Sequence, residues 1–65
     1  GAAHEFPFTD TPLPEVLATL SRYYPVPLTA TDTNKRLTAD FDADSLDTII
    51  GLINQTLGVS ITKQK

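Results

Sequence analysis

A chain of 65 residues has room for one hydrophobic core and no second domain. Its net charge of −3 and isoelectric point near 4.7 exclude the basic footprint that nucleic acid or an anionic membrane requires, and its five cations (Arg22, Lys35, Arg36, Lys63, Lys65) are scattered. The absence of cysteine excludes disulfides and thiolate metal sites, and the ~3–5 kcal/mol of net stability usual at this size leaves little to hold a strained catalytic pocket.

Gly1, Ala2 and Ala3 read as a cloning scar and the start of a linker, so a single domain is expected from His4 to Lys65, excised from something longer. No apolar run approaches membrane-spanning length, and no signal peptide is visible. Phe6 and Phe8 alternate with Glu5, Pro7 and Thr9, the two-residue period of a half-buried strand. Pro7 cannot donate to a ladder, so this strand is expected to lie at a sheet edge or to pair on one side only.

The first helix is expected to start near Pro12–Pro14, with Thr11 or Leu13 as its cap. Leu13, Val16, Leu17, Leu20, Tyr23 and Tyr24 share one face, and Pro25 ends the helix. Val26–Thr29 reads as a short strand and Thr31–Lys35 as a polar turn. Arg36–Phe41 reads as a third strand with Leu37, Ala39 and Phe41 inward.

Asp44 is expected to cap a second helix over Ser45–Leu57, with Asp47 near its positive N-terminal end. The apolar set Leu46, Ile49, Ile50, Leu52, Ile53 and Leu57 is wide for a helix with one wet face and predicts contacts on two sides. Gly58 supplies a left-handed stop, and Val59–Lys63 reads as the last strand.

The sequence also repeats. Shifted by 33 residues, Phe8 falls on Phe41, Leu13 on Leu46, Val16 on Ile49, Leu20 on Ile53, Tyr24 on Leu57, Val26 on Val59 and Leu28 on Ile61, without a gap. Each copy is strand, helix, breaker, short strand. Two copies are too few for a solenoid, so the expected fold is α+β: two βαβ halves in the order β-α-β-β-α-β, related by a pseudo-twofold axis, with two helices packed on small sheets.

The residues of catalysis are nearly missing. Asp40-Phe-Asp42-Ala-Asp44 alternates carboxylates like the opening of a calcium loop. However, Ser45 replaces the glycine of the sharp turn and Gly51 replaces the bidentate glutamate. His4, the single histidine, has no second ligand at metal spacing. Ser21, Ser45 and Ser60 lack a nearby base, Glu15 and the aspartates fit caps and strand edges, and no glycine-rich phosphate loop is present. The acceptor pattern Asn54-Gln55-Thr56 falls inside a helix. No catalytic residue, cofactor or metal is expected, and the chain reads as a binding module rather than an enzyme. Tyr23, at the margin of its helical face, is the aromatic candidate for a partner contact, while Tyr24 matches Leu57 and reads as core.

Phe6-Pro-Phe-Thr-Asp-Thr-Pro-Leu-Pro-Glu-Val-Leu, followed by Leu20-Ser-Arg-Tyr-Tyr-Pro-Val, resembles the C-terminal domain of FecR-type anti-sigma factors of Bacteroidetes. Leu37-Thr-Ala-Asp-Phe, Ser45-Leu and Leu57-Gly-Val fit the same pattern, so the likeness runs from about His4 to Thr62. A more distant likeness is to the short N-terminal domain shared by secretins and TonB-dependent receptors. The resemblance implies the periplasmic end of a single-span inner-membrane protein whose cytoplasmic segment restrains an extracytoplasmic-function sigma factor. It also implies a protein partner, the periplasmic signalling domain of a TonB-dependent transporter, with no nucleic acid and no direct membrane contact by this domain. The family pattern continues past the last strand, which makes an open edge, or a dimer completed by strand pairing, the second expectation. Val59, Ser60, Ile61 and Thr62 are therefore, with Tyr23, the expected partner-binding residues.

Overall fold

The computed structural model describes residues 5–42 and 45–64 and runs β1 (Glu5–Pro12), α1 (Leu13–Tyr23), β2 (Leu28–Ala30), β3 (Arg36–Asp42), α2 (Leu46–Leu57) and β4 (Ile61–Lys63). The expected linker Gly1–Ala3, His4 and the expected cap Asp44 lie outside the described residues. β1 pairs antiparallel with β3, and β2 with β4, giving two two-stranded sheets. Each sheet thus takes one strand from each half of the chain, and the architecture is the α+β arrangement expected from the repeat.

The repeat is visible in the structure. α1 and α2 begin at Leu13 and Leu46, and β2 and β4 span Leu28–Ala30 and Ile61–Lys63, so corresponding elements stand 33 residues apart. The pairing registers obey the same offset. Pro7 lies opposite Asp40 in the first sheet and Thr29 opposite Thr62 in the second, each pair again separated by 33. In an antiparallel pair of repeated strands, that separation marks the point where a twofold axis passes through the ladder. Equivalent side chains meet beside it: the Phe8 and Phe41 rings lie 6.4 Å apart, and the Thr29 and Thr62 hydroxyls share a 3.1 Å hydrogen bond.

The core lies between the helices and the sheets. Phe6 and Phe8 of β1, Leu37 of β3, Leu13, Val16, Leu17 and Leu20 of α1, Leu46, Ile49, Ile50 and Ile53 of α2, and Val59 and Ile61 near the C-terminal end are all buried. Burial of each such side chain is worth about 1.5–3 kcal/mol. Tyr24, Ala39, Phe41 and Leu57 pack against this cluster while remaining partly exposed.

Several boundaries differ from the sequence reading. β1 continues to Pro12 because a bulge between Phe8 and Thr11 absorbs the kink, with Asp10 at φ 48°. The Asp10 N–H donates to Thr38 Oγ1 (2.9 Å), and Arg36 Nη1 donates to the Asp10 carbonyl (2.9 Å), which holds this left-handed residue in place. α1 has no side-chain cap: Pro12 occupies the N-cap, and the Leu13 N–H donates instead to the carbonyl of Lys35 (2.9 Å). α2 is capped by Ser45, whose Oγ accepts from the Thr48 N–H at 3.1 Å, one residue after the expected position. Gly58 is left-handed at φ 68°, as expected, and its N–H donates to the Asn54 carbonyl.

Candidate docking surface

The expected partner-binding residues divide between the two sheets. Tyr23 is 48% exposed, with its ring edge-on to Phe6 of β1 at 5.2 Å and to Tyr24 at 4.9 Å. Along the last segment, Val59 and Ile61 turn into the core, whereas Ser60 and Thr62 face outward. The main-chain groups of Ser60 and the hydroxyl of Thr62 are already engaged across the ladder. The Ser60 N–H donates to Thr31 Oγ1 (3.1 Å), the Thr31 N–H donates to the Ser60 carbonyl (3.1 Å), and Thr62 bonds Thr29.

Hydrogen bonding along the second sheet determines which main-chain groups remain for a partner. Gln64 N–H to the Pro27 carbonyl and Thr31 N–H to the Ser60 carbonyl bracket the Thr29–Thr62 pair. By antiparallel alternation, Thr29 and Thr62 then face each other, while Leu28 and Ala30 on β2, and Ile61 and Lys63 on β4, direct their N–H and C=O groups outward.

The two outer edges are not alike. On β4 the Ile61 N–H donates to Asn54 Oδ1 of α2 (2.9 Å), and Lys63 Nζ pairs with Asp47 Oδ1 (2.6 Å) at the start of that helix. On β2 the edge borders an open groove of about 800 Å³ between α1 and the Pro25–Ala30 segment, lined by Leu17, Ala18 and Ser21 on the helix side and by Pro27, Leu28 and Ala30 on the strand side. Every residue lining this groove is uncharged. A smaller hollow of about 230 Å³ lies beside Phe41 and Leu52 between Asp40 and Asp42. Leu52, counted with the apolar face in the sequence, is 46% exposed there, because a wide apolar arc does not reveal which of its margins meets a neighbour.

Among the described residues no three His, Asp or Glu side chains gather as metal ligands, and no helix is long and apolar enough to cross a membrane. Asn54 of the glycosylation pattern serves instead to terminate the β4 edge. Sequence reasoning weighs Ser21 only as a serine without a nearby base and does not name Ala30. The signal was nonetheless present in the repeat, where small or apolar residues in the first copy stand at positions that carry Asn54 and Lys63 in the second.

These features define a class: a small α+β domain of two helices and two two-stranded sheets, with an uncharged groove beside one outer strand edge. The model of the family FecR, C-terminal, matches residues 5–65, and the chain belongs to that family. FecR proteins are membrane-anchored regulators, and this family of domains is regulatory and indicates an anti-sigma role. No curated protein and no solved structure matches the chain.

Proposed function

We propose that this domain is the periplasmic docking module of an anti-sigma factor, which receives a signal from the periplasmic domain of an outer-membrane TonB-dependent transporter and passes it to an extracytoplasmic-function sigma factor. Family membership over residues 5–65 is the observation that carries this reading. The surface supports it. Two short sheets with outer edges, an uncharged groove and a half-exposed tyrosine are the elements from which strand-pairing interfaces are built. Within this reading, the side chains of Tyr23, Ser60 and Thr62 are exposed to a partner while those of Val59 and Ile61 are buried, and the outer edge of β2 is the rival surface to the last segment. The domain acts without chemistry of its own: docking biases the conformation or the lifetime of the membrane-anchored regulator, and the message travels through the rest of that protein.

The test is calorimetric titration of the domain with the N-terminal periplasmic domain of the transporter encoded beside it. Saturable one-to-one binding is expected, and no heat at millimolar concentration would refute the reading. The paired two-stranded sheets also suit a second role, a self-associating assembly element that completes its sheet with another copy. Sedimentation equilibrium separates the two: a monomer across the concentration range is expected, and a concentration-dependent dimer favours assembly.

A further inference from the structure

The pseudo-twofold axis lets one half of the molecule report on the other. Moved by 33 residues, the β2 groove falls on the space between α2 and β4, with Pro14 on Asp47, Ser21 on Asn54, Leu28 on Ile61 and Ala30 on Lys63. In the second half both spans are bridged: Asn54 Oδ1 accepts the outward Ile61 N–H, and Lys63 reaches Asp47. In the first half the corresponding residues are too short or too apolar to do either. Ser21 lacks the reach of an asparagine, Pro14 and Ala30 carry no charge, and the Leu28 N–H has no hydrogen-bond partner among the described residues. The same architectural groove is thus sealed by polar side chains in one half and open in the other.

We infer that the open β2 edge, rather than the last strand, is where this domain receives its partner, and that the occupant is an extended, uncharged segment of another protein that adds as a strand beside Leu28–Ala30. The second half supplies the internal precedent for the chemistry. There an amide carbonyl caps the outward N–H at 2.9 Å, so at Leu28 the equivalent acceptor is a main-chain carbonyl brought by the guest. β2 has three residues and so engages about three to five residues of guest at ~3.3 Å each. The guest's alternate side chains lie over Ala18 and Ser21, whose small side chains leave room, and no lining group can pair a charge, which disfavours Lys, Arg, Asp and Glu at those positions. A second copy fits less well. Its β4 edge brings the charge of Lys63 and an Ile61 N–H already bonded to Asn54, and on its β2 edge Leu28 and Ala30 are packed against its own core. The assignment rests on the docking function proposed above and adds its location and the character of the guest.

The test transplants the seal. Pro14→Asp, Ser21→Asn and Ala30→Lys together copy the second half's bridges into the first, and a separate variant, Ala18→Lys, places a charge in the groove from an exposed helical position. The probe is a short soluble peptide of alternating valine and hydroxyl residues with a lysine at each end, followed by amide NMR, with the transporter's periplasmic domain as a second probe. The expected result is that both probes shift Leu28 and Ala30 in the parent chain, and that both variants, checked to be folded by the same spectra, bind at least tenfold more weakly. Shifts confined to Ile61–Lys63, shifts that depend on protein concentration without probe, or no shift at millimolar peptide would each overturn the inference. If the transporter domain binds parent and sealed variants equally, docking stands and the groove assignment fails. If the peptide binds the groove while the transporter domain does not bind at all, the groove stands and the proposed partner fails.

Discussion

The same substitution at two glycines is expected to act with opposite sign. Gly51 lies in the exposed interior of α2, and a Cβ built there meets nothing within 4 Å. Gly51→Ala therefore changes only backbone entropy and helix propensity, worth about 0.8–1.0 kcal/mol in favour of alanine. Gly58 also has free space around its Cβ position, yet it holds φ 68° to close the helix and turn the chain into Val59. An L-residue pays about 1–2 kcal/mol for that conformation, so Gly58→Ala is destabilising even though nothing clashes. For a domain of this size 1 kcal/mol corresponds to about 4–8 °C in Tm. Thermal denaturation followed by circular dichroism should show Gly51→Ala melting above the parent and Gly58→Ala below it, with the double variant near the sum. If both substitutions shift Tm in the same direction, the assignment of the left-handed stop is wrong, because sterics cannot separate them.

Ser45→Ala removes the oxygen that accepts the Thr48 N–H at the start of α2 and should cost about 1 kcal/mol, while Ser45→Asp should retain most of the stability; urea unfolding measures both. Asn54→Ala leaves the part-buried Ile61 N–H without its acceptor, for a loss of about 1–3 kcal/mol, and hydrogen exchange should show that amide losing protection while Asn54→Asp preserves it. Ile53 is fully buried in the core, and Ile53→Ala should cost about 2–5 kcal/mol, comparable with the whole stability of so small a domain, so its near-ultraviolet signal and amide dispersion should collapse.

The order of elements was legible because the two apolar periods, two for strands and near 3.6 for helices, change cleanly at the prolines and at Gly58. The pseudo-twofold was legible because Leu13 and Leu46, or Leu28 and Ile61, occupy matching places in both copies. Other features depend on partners distant in sequence. The bulge at Asp10 carries no glycine to announce it, since Thr38 and Arg36 on β3 stabilise the positive φ from outside. The cap of α2 lay between adjacent cap-forming residues, and only geometry chooses Ser45. The short strands begin later than Val26 and Val59 because pairing, not β propensity, limits their length: Val59 is buried before the ladder with Leu28–Ala30 starts. The difference between the sealed and open edges required knowing that Asn54 faces Ile61, a relation seven residues apart that periodicity does not encode.

The most direct test of a docking role is a photoreactive amino acid placed at Ser21 of the chain in cells that also make the transporter, with Leu52 and Thr62 as control positions on other faces. A light-dependent adduct with the transporter that forms from position 21 and fades in the sealed variant is the result expected. Adducts to the domain itself alone, or no transporter adduct from any of the three positions in folded protein, would contradict it.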